Sequence, residues 1–265
     1  MTVGLAFEAV TKRYGPDGPL VFRDLSISVA PGEFVVVVGP SGCGKTTLLQ
    51  LAAGVEAPTA GTVRVGGAPV DGPTEETAMV FQDFVLLPWK TVLENVALGL
   101  AVQERMDPDR RRAVAREWLE TVGLADVADR YPRALSGGMC QRVGLARALA
   151  VDPAVVLLDE PFGSLDAQTR HRLQGELLAL WSEREQTACF VTHDVDEALF
   201  LADRVVVLSD APAEVVAERS VPFERPRAQR RAEIEQSERF ASLRTALRRD
   251  LGLTDPARAA GVEPA

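Results

Sequence analysis

Phe34-Val35-Val36-Val37-Val38-Gly39-Pro40-Ser41-Gly42-Cys43-Gly44-Lys45-Thr46-Thr47 is the stretch on which the fold turns. A continuous apolar run that is almost all β-branched suits a strand buried on both faces of a parallel sheet. Gly39 to Thr46 then satisfies the pattern G-x-x-x-x-G-K-[ST], and a helix is expected near residues 45 to 53. In such a loop the glycines let backbone N–H groups wrap phosphates, while Lys45 places a point charge on the outer oxygens. The Thr46 hydroxyl can ligate Mg²⁺, and Thr47 adds a further hydroxyl. Gly39, Pro40, Ser41, Gly42, Cys43, Gly44, Lys45, Thr46 and Thr47 are therefore the expected nucleotide-binding residues. Cys43 lies beside a helix N-terminus, a setting that favours thiolate, so its alkylation is expected to block nucleotide binding.

Working outward, Val3 to Val10 and the residues Val21, Phe22, Leu25, Ile27 and Val29 predict antiparallel strands around the turn Gly15 to Pro19. Strand-like runs return at Thr62 to Val65, Ala78 to Phe81, Val155 to Leu158, Ala188 to Thr192 and Val205 to Leu208, several of them separated by helical periodicity. Between Thr91 and Val127 the pattern is helical: Leu93, Val96, Ala97 and Leu100 share one face, and Asp107-Pro108 caps a second, charged helix. This predicts an α/β fold with a helical insertion. From Pro226 onward the chain is rich in Arg, Glu and Ala, which predicts a solvated helix to about Arg249 and then a frayed end.

Two further segments carry chemistry. Val155-Val156-Leu157-Leu158-Asp159-Glu160 delivers two carboxylates to the ligand edge of a parallel sheet. Asp159 can then hold the Mg²⁺ shell, and Glu160, pointing the other way, can orient and deprotonate a water. Taken by itself the pair is equally a strand end with two solvated acids. About ninety residues after Lys45, Leu135-Ser136-Gly137-Gly138-Met139 forms a second glycine turn. Ser136 is its expected N-cap, and the backbone N–H groups stand at the positive end of a helix. Alone, that too is explained by a helix start after a flexible turn. One compact chain rarely needs two phosphate cradles for one nucleotide, so the second hints at a nucleotide held by another copy.

With these segments in this order, residues 3 to 220 resemble the ATP-binding subunits of ABC transporters. The resemblance implies a P-loop NTPase (ABC ATPase) α/β core with an N-terminal antiparallel β subdomain and a helical signature subdomain. Residues 1–225 would form the ATPase domain, with the helical part at about 88–150, followed by a short helical tail over 226–265. It also implies that Gly39 to Thr46 is the Walker A loop, Gln82 the Q-loop, Leu135 to Met139 the signature, with Ser136, Gly137 and Gly138 at the nucleotide, and Asp159 and Glu160 the Walker B pair. Ser164-Leu165-Asp166 matches the D-loop and His193 the switch histidine, although a lone histidine is often structural. Tyr14 falls where the family stacks an aromatic on adenine, its plainer explanation being a strand-end core tyrosine. His171, by contrast, reads as surface. On the same resemblance the cofactors are ATP and Mg²⁺, with Glu160, His193 and Gln82 catalytic and Thr46, Gln82 and Asp159 at the metal. The family dimerises head to tail, so each ATP would close between one chain's Walker A loop and the other's signature.

Leu86 to Val96 and Val191 to Ala198 look like the importer branch for nitrate, aliphatic sulfonates and taurine, in which Met at the position of Met139 is also common. Trp89 follows the Q-loop, where family members receive the permease, although an ordinary helix-packing aromatic would look the same. The roughly forty residues after Phe223 are too few for the regulatory β-domain of sugar importers. Expected partners are a second copy, membrane permease subunits and, indirectly, a substrate-binding protein, which together select the cargo. A formal net charge of −9 argues against nucleic acid. No apolar leader or membrane span is visible, so the chain is expected to stay in the cytoplasm, and the resemblance implies that it sits at the cytoplasmic face of the membrane through its permease. Cys43, Cys140 and Cys189 have neither disulfide nor zinc spacing. A non-transport ATPase of the same fold, acting in DNA repair, chromosome organisation or translation, is the alternative. Its relatives usually carry tandem cassettes, coiled coils or zinc cysteines, and none is visible here.

Overall fold

The computed structural model describes residues 2–82, 85–103, 106–163, 165–184 and 186–253, with backbone only at 182–184. Ser164 lies outside the described residues, as does the end of the tail from 254.

Among the described residues, ten strands form two sheets. β1 (Leu5–Arg13), β2 (Leu20–Val29), β4 (Ala60–Val65) and β5 (Ala68–Pro69) make an antiparallel sheet in the order β2-β1-β4-β5. β3 (Phe34–Val38), β6 (Thr77–Val80), β7 (Val155–Asp159), β8 (Thr187–Thr192), β9 (Arg204–Leu208) and β10 (Val215–Ser220) make the second, in the order β10-β9-β3-β8-β7-β6. All its neighbours run parallel except β10, which returns antiparallel beside β9.

The unbroken apolar run in β3 follows from its position between two cores. Phe34, Val36 and Val38 point into a cluster built with the helices, whereas Val35 and Val37 point into another built with α1 (Lys45–Ala52) and the antiparallel sheet. Side chains alternate between faces along a strand, so a strand covered on both sides has no polar positions to give. β7 and β8 obey the same rule, and Cys189 of β8 is one of these core residues. Burial pushes its thiol up to about 12, so it behaves as a small apolar side chain.

On the helical side lie α2 (Val92–Val102), α3 (Pro108–Thr121) and α4 (Gly137–Ala150). Their starts are set by side chains: Thr91 and Glu94 form a reciprocal capping box, Asp107 Oδ1 accepts from two backbone N–H groups, and Ser136 caps α4. α5 (Ala167–Arg184) and α6 (Val195–Leu201) complete the core layer.

The C-terminal expectation needs correction. The segment is not a solvated helix but α7 (Arg231–Gln236) and α8 (Glu238–Asp250), whose Ile234, Phe240 and Leu247 are buried in the main core. Each such side chain stabilises the fold by about 1.5–3 kcal/mol relative to exposure, so this segment is an integral layer. Arg227 is buried, and its Nη1 donates to the Phe200, Leu201 and Ala202 carbonyls at the end of α6. That is where a helix leaves acceptors unsatisfied. Among the described residues, no helix is long and apolar enough to cross a membrane.

Candidate functional site

Parallel register decides where the chemistry collects. Val38 lies opposite Thr192, Asp159 opposite Val191 and Val80 opposite Leu158. Whatever follows these strands therefore emerges along one edge of the sheet. Gly39, Glu160, His193 and Gln82 all do.

The loop after β3 is shaped by left-handed backbone. Gly42 and Gly44 have φ of 79° and 105°, and a Cβ on Gly44 would lie 2.3 Å from Val21 Cγ1. Only glycine fits there. Lys45 is buried, and its ammonium donates to the Gly39 and Pro40 carbonyls at 2.9 Å each. Thr46 Oγ1 donates to Asp159 Oδ1 at 3.2 Å. Burial raises the Asp159 carboxyl above its ordinary range, and nearby Glu160 adds to this, against the lowering effects of Thr46 and Lys45. This pair, one hydroxyl and one carboxylate, fits a Mg²⁺ ion that keeps its other positions for phosphate and water.

Glu160 follows β7 in a left-handed conformation, with φ 42°. A non-glycine residue there carries about 1 kcal/mol of strain or more. The turn is held because Glu160 donates its N–H to the Val191 carbonyl and accepts from Gly163 N–H. It brings Glu160 Oε2 to 3.2 Å from His193 Nδ1. Ser41, Gly42, Gly44, Lys45, Thr46, Thr47, Gln82, Glu160 and His193 line one cleft of about 490 Å³. Cleft walls that offer ammonium, hydroxyls, backbone N–H groups and a paired carboxylate and imidazole suit a polyphosphate and a water molecule.

Tyr14 stands beside this cleft rather than in the core. Its hydroxyl lies 3.3 Å from Thr47 Oγ1, and its ring lies 4.7 Å from Lys12 Nζ, which is itself tied to Glu56 at 2.6 Å. The thiolate expected at Cys43 is corrected. The side chain is buried beneath the loop, and desolvation raises its pKa against the smaller lowering effect of Lys45.

Ser136, Gly137, Gly138 and Asp166 do not line the cleft. Ser136 Oγ accepts from Met139 N–H at 3.4 Å, Gly137 and Ser136 are exposed, and exposed Asp166 accepts from Thr169 N–H. Met139 packs against the core. Trp89 is 70% exposed, so it is not a packing aromatic. Its loop is held by fully buried Asn95, whose Oδ1 accepts from Leu87 N–H and whose Nδ2 donates to the Lys90 carbonyl. His171 is exposed as expected. Asn95 was missed at the sequence level. Its one signal is a polar residue on the apolar face of α2.

Comparison with known proteins gives consistent likenesses. Residues 22–163 match the family model described as ABC transporter. The nitrate import ATP-binding protein NrtD of Synechococcus elongatus is 47% identical, covering 91% of this chain and 89% of its own. The bicarbonate transport ATP-binding protein CmpD of Synechocystis is 46% identical, over 85% and 82%. A dimeric post-hydrolysis structure of the ATP-binding cassette MJ0796 bound to ADP and phosphate superposes with TM-score 0.75 at 33% identity, covering 83% of this chain and all of that one.

Proposed function

Because this chain belongs to the ABC transporter family, among its ATP-binding proteins, we propose that it hydrolyses ATP to drive import of a small oxyanion through a separate permease. The carrying observation is the convergence of Lys45, Thr46, Asp159, Gln82, Glu160 and His193 at one sheet edge, while Ser136 to Gly138 stand outside it. The first group is a phosphate and water site, and the second is its complement on another copy.

In this function the Lys45 ammonium exchanges its two carbonyl partners for the β- and γ-phosphates, and the loop N–H groups take the remaining oxygens. Thr46 and Asp159 would hold Mg²⁺, which would supply positive charge to those oxygens. Tyr14 offers its ring to adenine. Glu160 accepts a proton from the attacking water, and His193 holds that water and the γ-phosphate in line. The bond from the water oxygen to phosphorus forms as the bond to the bridging oxygen breaks, leaving ADP and phosphate. Gln82 reaches the same water, and its loop presents Trp89 to the permease. Ser136, Gly137, Gly138 and Asp166 close the partner's ATP in a head-to-tail dimer.

The chain works at the cytoplasmic membrane face, and a substrate-binding protein delivers the cargo to the permease. Residues 86–96 resemble the nitrate, aliphatic sulfonate and taurine branch as a whole, and within it the nitrate relative favours nitrate, with sulfonates, taurine and bicarbonate as the alternative cargoes. The test is the complex with its permease and binding protein in vesicles. Nitrate-loaded binding protein is expected to stimulate ATP hydrolysis. Stimulation by taurine, an alkanesulfonate or bicarbonate instead would reassign the cargo, and a lack of response to all of them would overturn the importer assignment.

A further inference from the structure

Arg170 sits in the first turn of α5, outside every motif described so far. Its Nη2 donates to the Leu165 carbonyl at 3.0 Å, and its Nη1 reaches Asp194 Oδ2 at 3.4 Å. Both ends of this bridge matter. Asp194 follows His193 directly and has little freedom: its Oδ1 accepts from Asp196 and Glu197 N–H as N-cap of α6, and its own N–H donates to Thr192 Oγ1 at 3.0 Å. Leu165 is buried, and its N–H donates to the Phe162 carbonyl in the turn that Glu160 begins. Glu160 meets His193 at 3.2 Å. Glu160, the turn, Leu165, Arg170, Asp194 and His193 therefore form a closed ring.

The ring also touches the signature turn. A Cβ on Gly138 would lie 3.2 Å from Leu165 Cδ2 and 3.6 Å from Thr169 Cγ2, so Gly138 is seated on this segment. The other charges nearby have partners of their own. Gln174 donates to Glu197 at 2.7 Å, Arg231 donates to Glu235 and Gln174, and Arg244 lies 3.7 Å from Asp196. Among the described residues, Arg170 is the cation paired with Asp194. A guanidinium reaches two acceptors from two terminal nitrogens set apart in one rigid plane, whereas an ammonium must serve both from a single nitrogen.

We propose that Arg170 is a positioning residue, linking the signature turn and the Glu160 turn to the switch histidine of the same chain. A phosphate of the partner's nucleotide at Gly138 then bears on Leu165 and, through Arg170 and Asp194, on the placement of His193. Each chain thereby senses the other's site. The proposal rests on the catalytic role given to His193 above.

The test uses the purified full chain and steady-state ATP hydrolysis. Arg170→Ala and Asp194→Asn are each expected to lower kcat by about tenfold while leaving KM for MgATP and the melting temperature unchanged, since misplacement rather than binding is affected. Asn retains the N-cap, so Asp194→Asn isolates the ion pair from α6 stability. The double variant should be no slower than the slower single one, and Arg170→Lys should recover part of the rate. Unchanged kcat in Arg170→Ala and Asp194→Asn, or fully additive losses, would overturn the proposal. His193→Ala separates the two claims: if it abolishes turnover while Arg170→Ala does nothing, only Arg170 loses its role. If His193→Ala hydrolyses ATP normally, the catalytic role of His193 fails and the proposal with it. Should Arg170→Ala fail to fold, Arg170→Lys and Asp194→Asn carry the measurement.

Discussion

The two glycine turns of this chain have similar chemistry and opposite surroundings. The turn over Gly39 to Thr46 is supported from beneath by its own chain: Lys45 is buried, Gly44 abuts Val21 and Phe22, and Thr46 meets Asp159. The turn over Ser136 to Gly138 is held from behind by a cap and by Leu165, and its front is open. A preorganised site binds because the cost of shaping it was met on folding. Under the function proposed here, the first turn is such a site, and the second becomes one only when a second chain supplies the phosphate. The difference is one of completeness rather than of sequence type.

The sharpest way to break this contrast is Glu160→Gln. It should lower kcat by about 100-fold or more, as loss of a general base does, keep ATP binding, and make an ATP-dependent dimer persist in size exclusion. Normal turnover would remove Glu160 from the chemistry. Next in size is Ser136→Arg, which should disable hydrolysis at every ATP concentration and leave ATP binding by the monomer intact. If monomeric binding were lost, both turns would serve one nucleotide in one chain. The smallest effect is expected far from the cleft, at the start of β3. There Glu33 accepts from Arg204 Nε at 2.8 Å. Burial alone would raise the Glu33 carboxyl, but the Arg204 hydrogen bonds, the Ala30 N–H and the Arg204 charge together carry it below its ordinary value. A carboxyl lowered on folding adds stability above its unfolded value, and that contribution is lost as pH falls through the lowered folded one. Glu33→Gln should therefore cost about 1–3 kcal/mol at neutral pH, an effect that fades under acid, with KM for ATP unaltered. Melting curves across pH measure the first, and ATP titration the second.

Much of the architecture was legible because it depends on local pattern. The Val run of β3, the acids at the end of β7 and the cap at Asp107 each state their own structure. Less legible was anything whose partner lies far along the chain. Arg170 looks like any helical arginine until α6 brings Asp194 to it, and Asn95 needs the loop before α2 to explain its burial. Cys43 shows the opposite error: a local rule about helix N-termini gave thiolate, and packing beneath the loop outweighed it. In the tail, Phe240, Leu243 and Leu247 already carry helical spacing, but the charged residues between them obscured an apolar face.

The buried guanidinium of Arg227 has a consequence for the order in which the protein is made. Domains are released from the ribosome amino end first. Until residue 227 emerges, the final carbonyls of α6 lack the Arg227 guanidinium, although every residue lining the candidate cleft has already been synthesised. The newborn chain thus holds the residues of its candidate site before it holds the clasp on α6, and translation must pass residue 227 before that helix is secured.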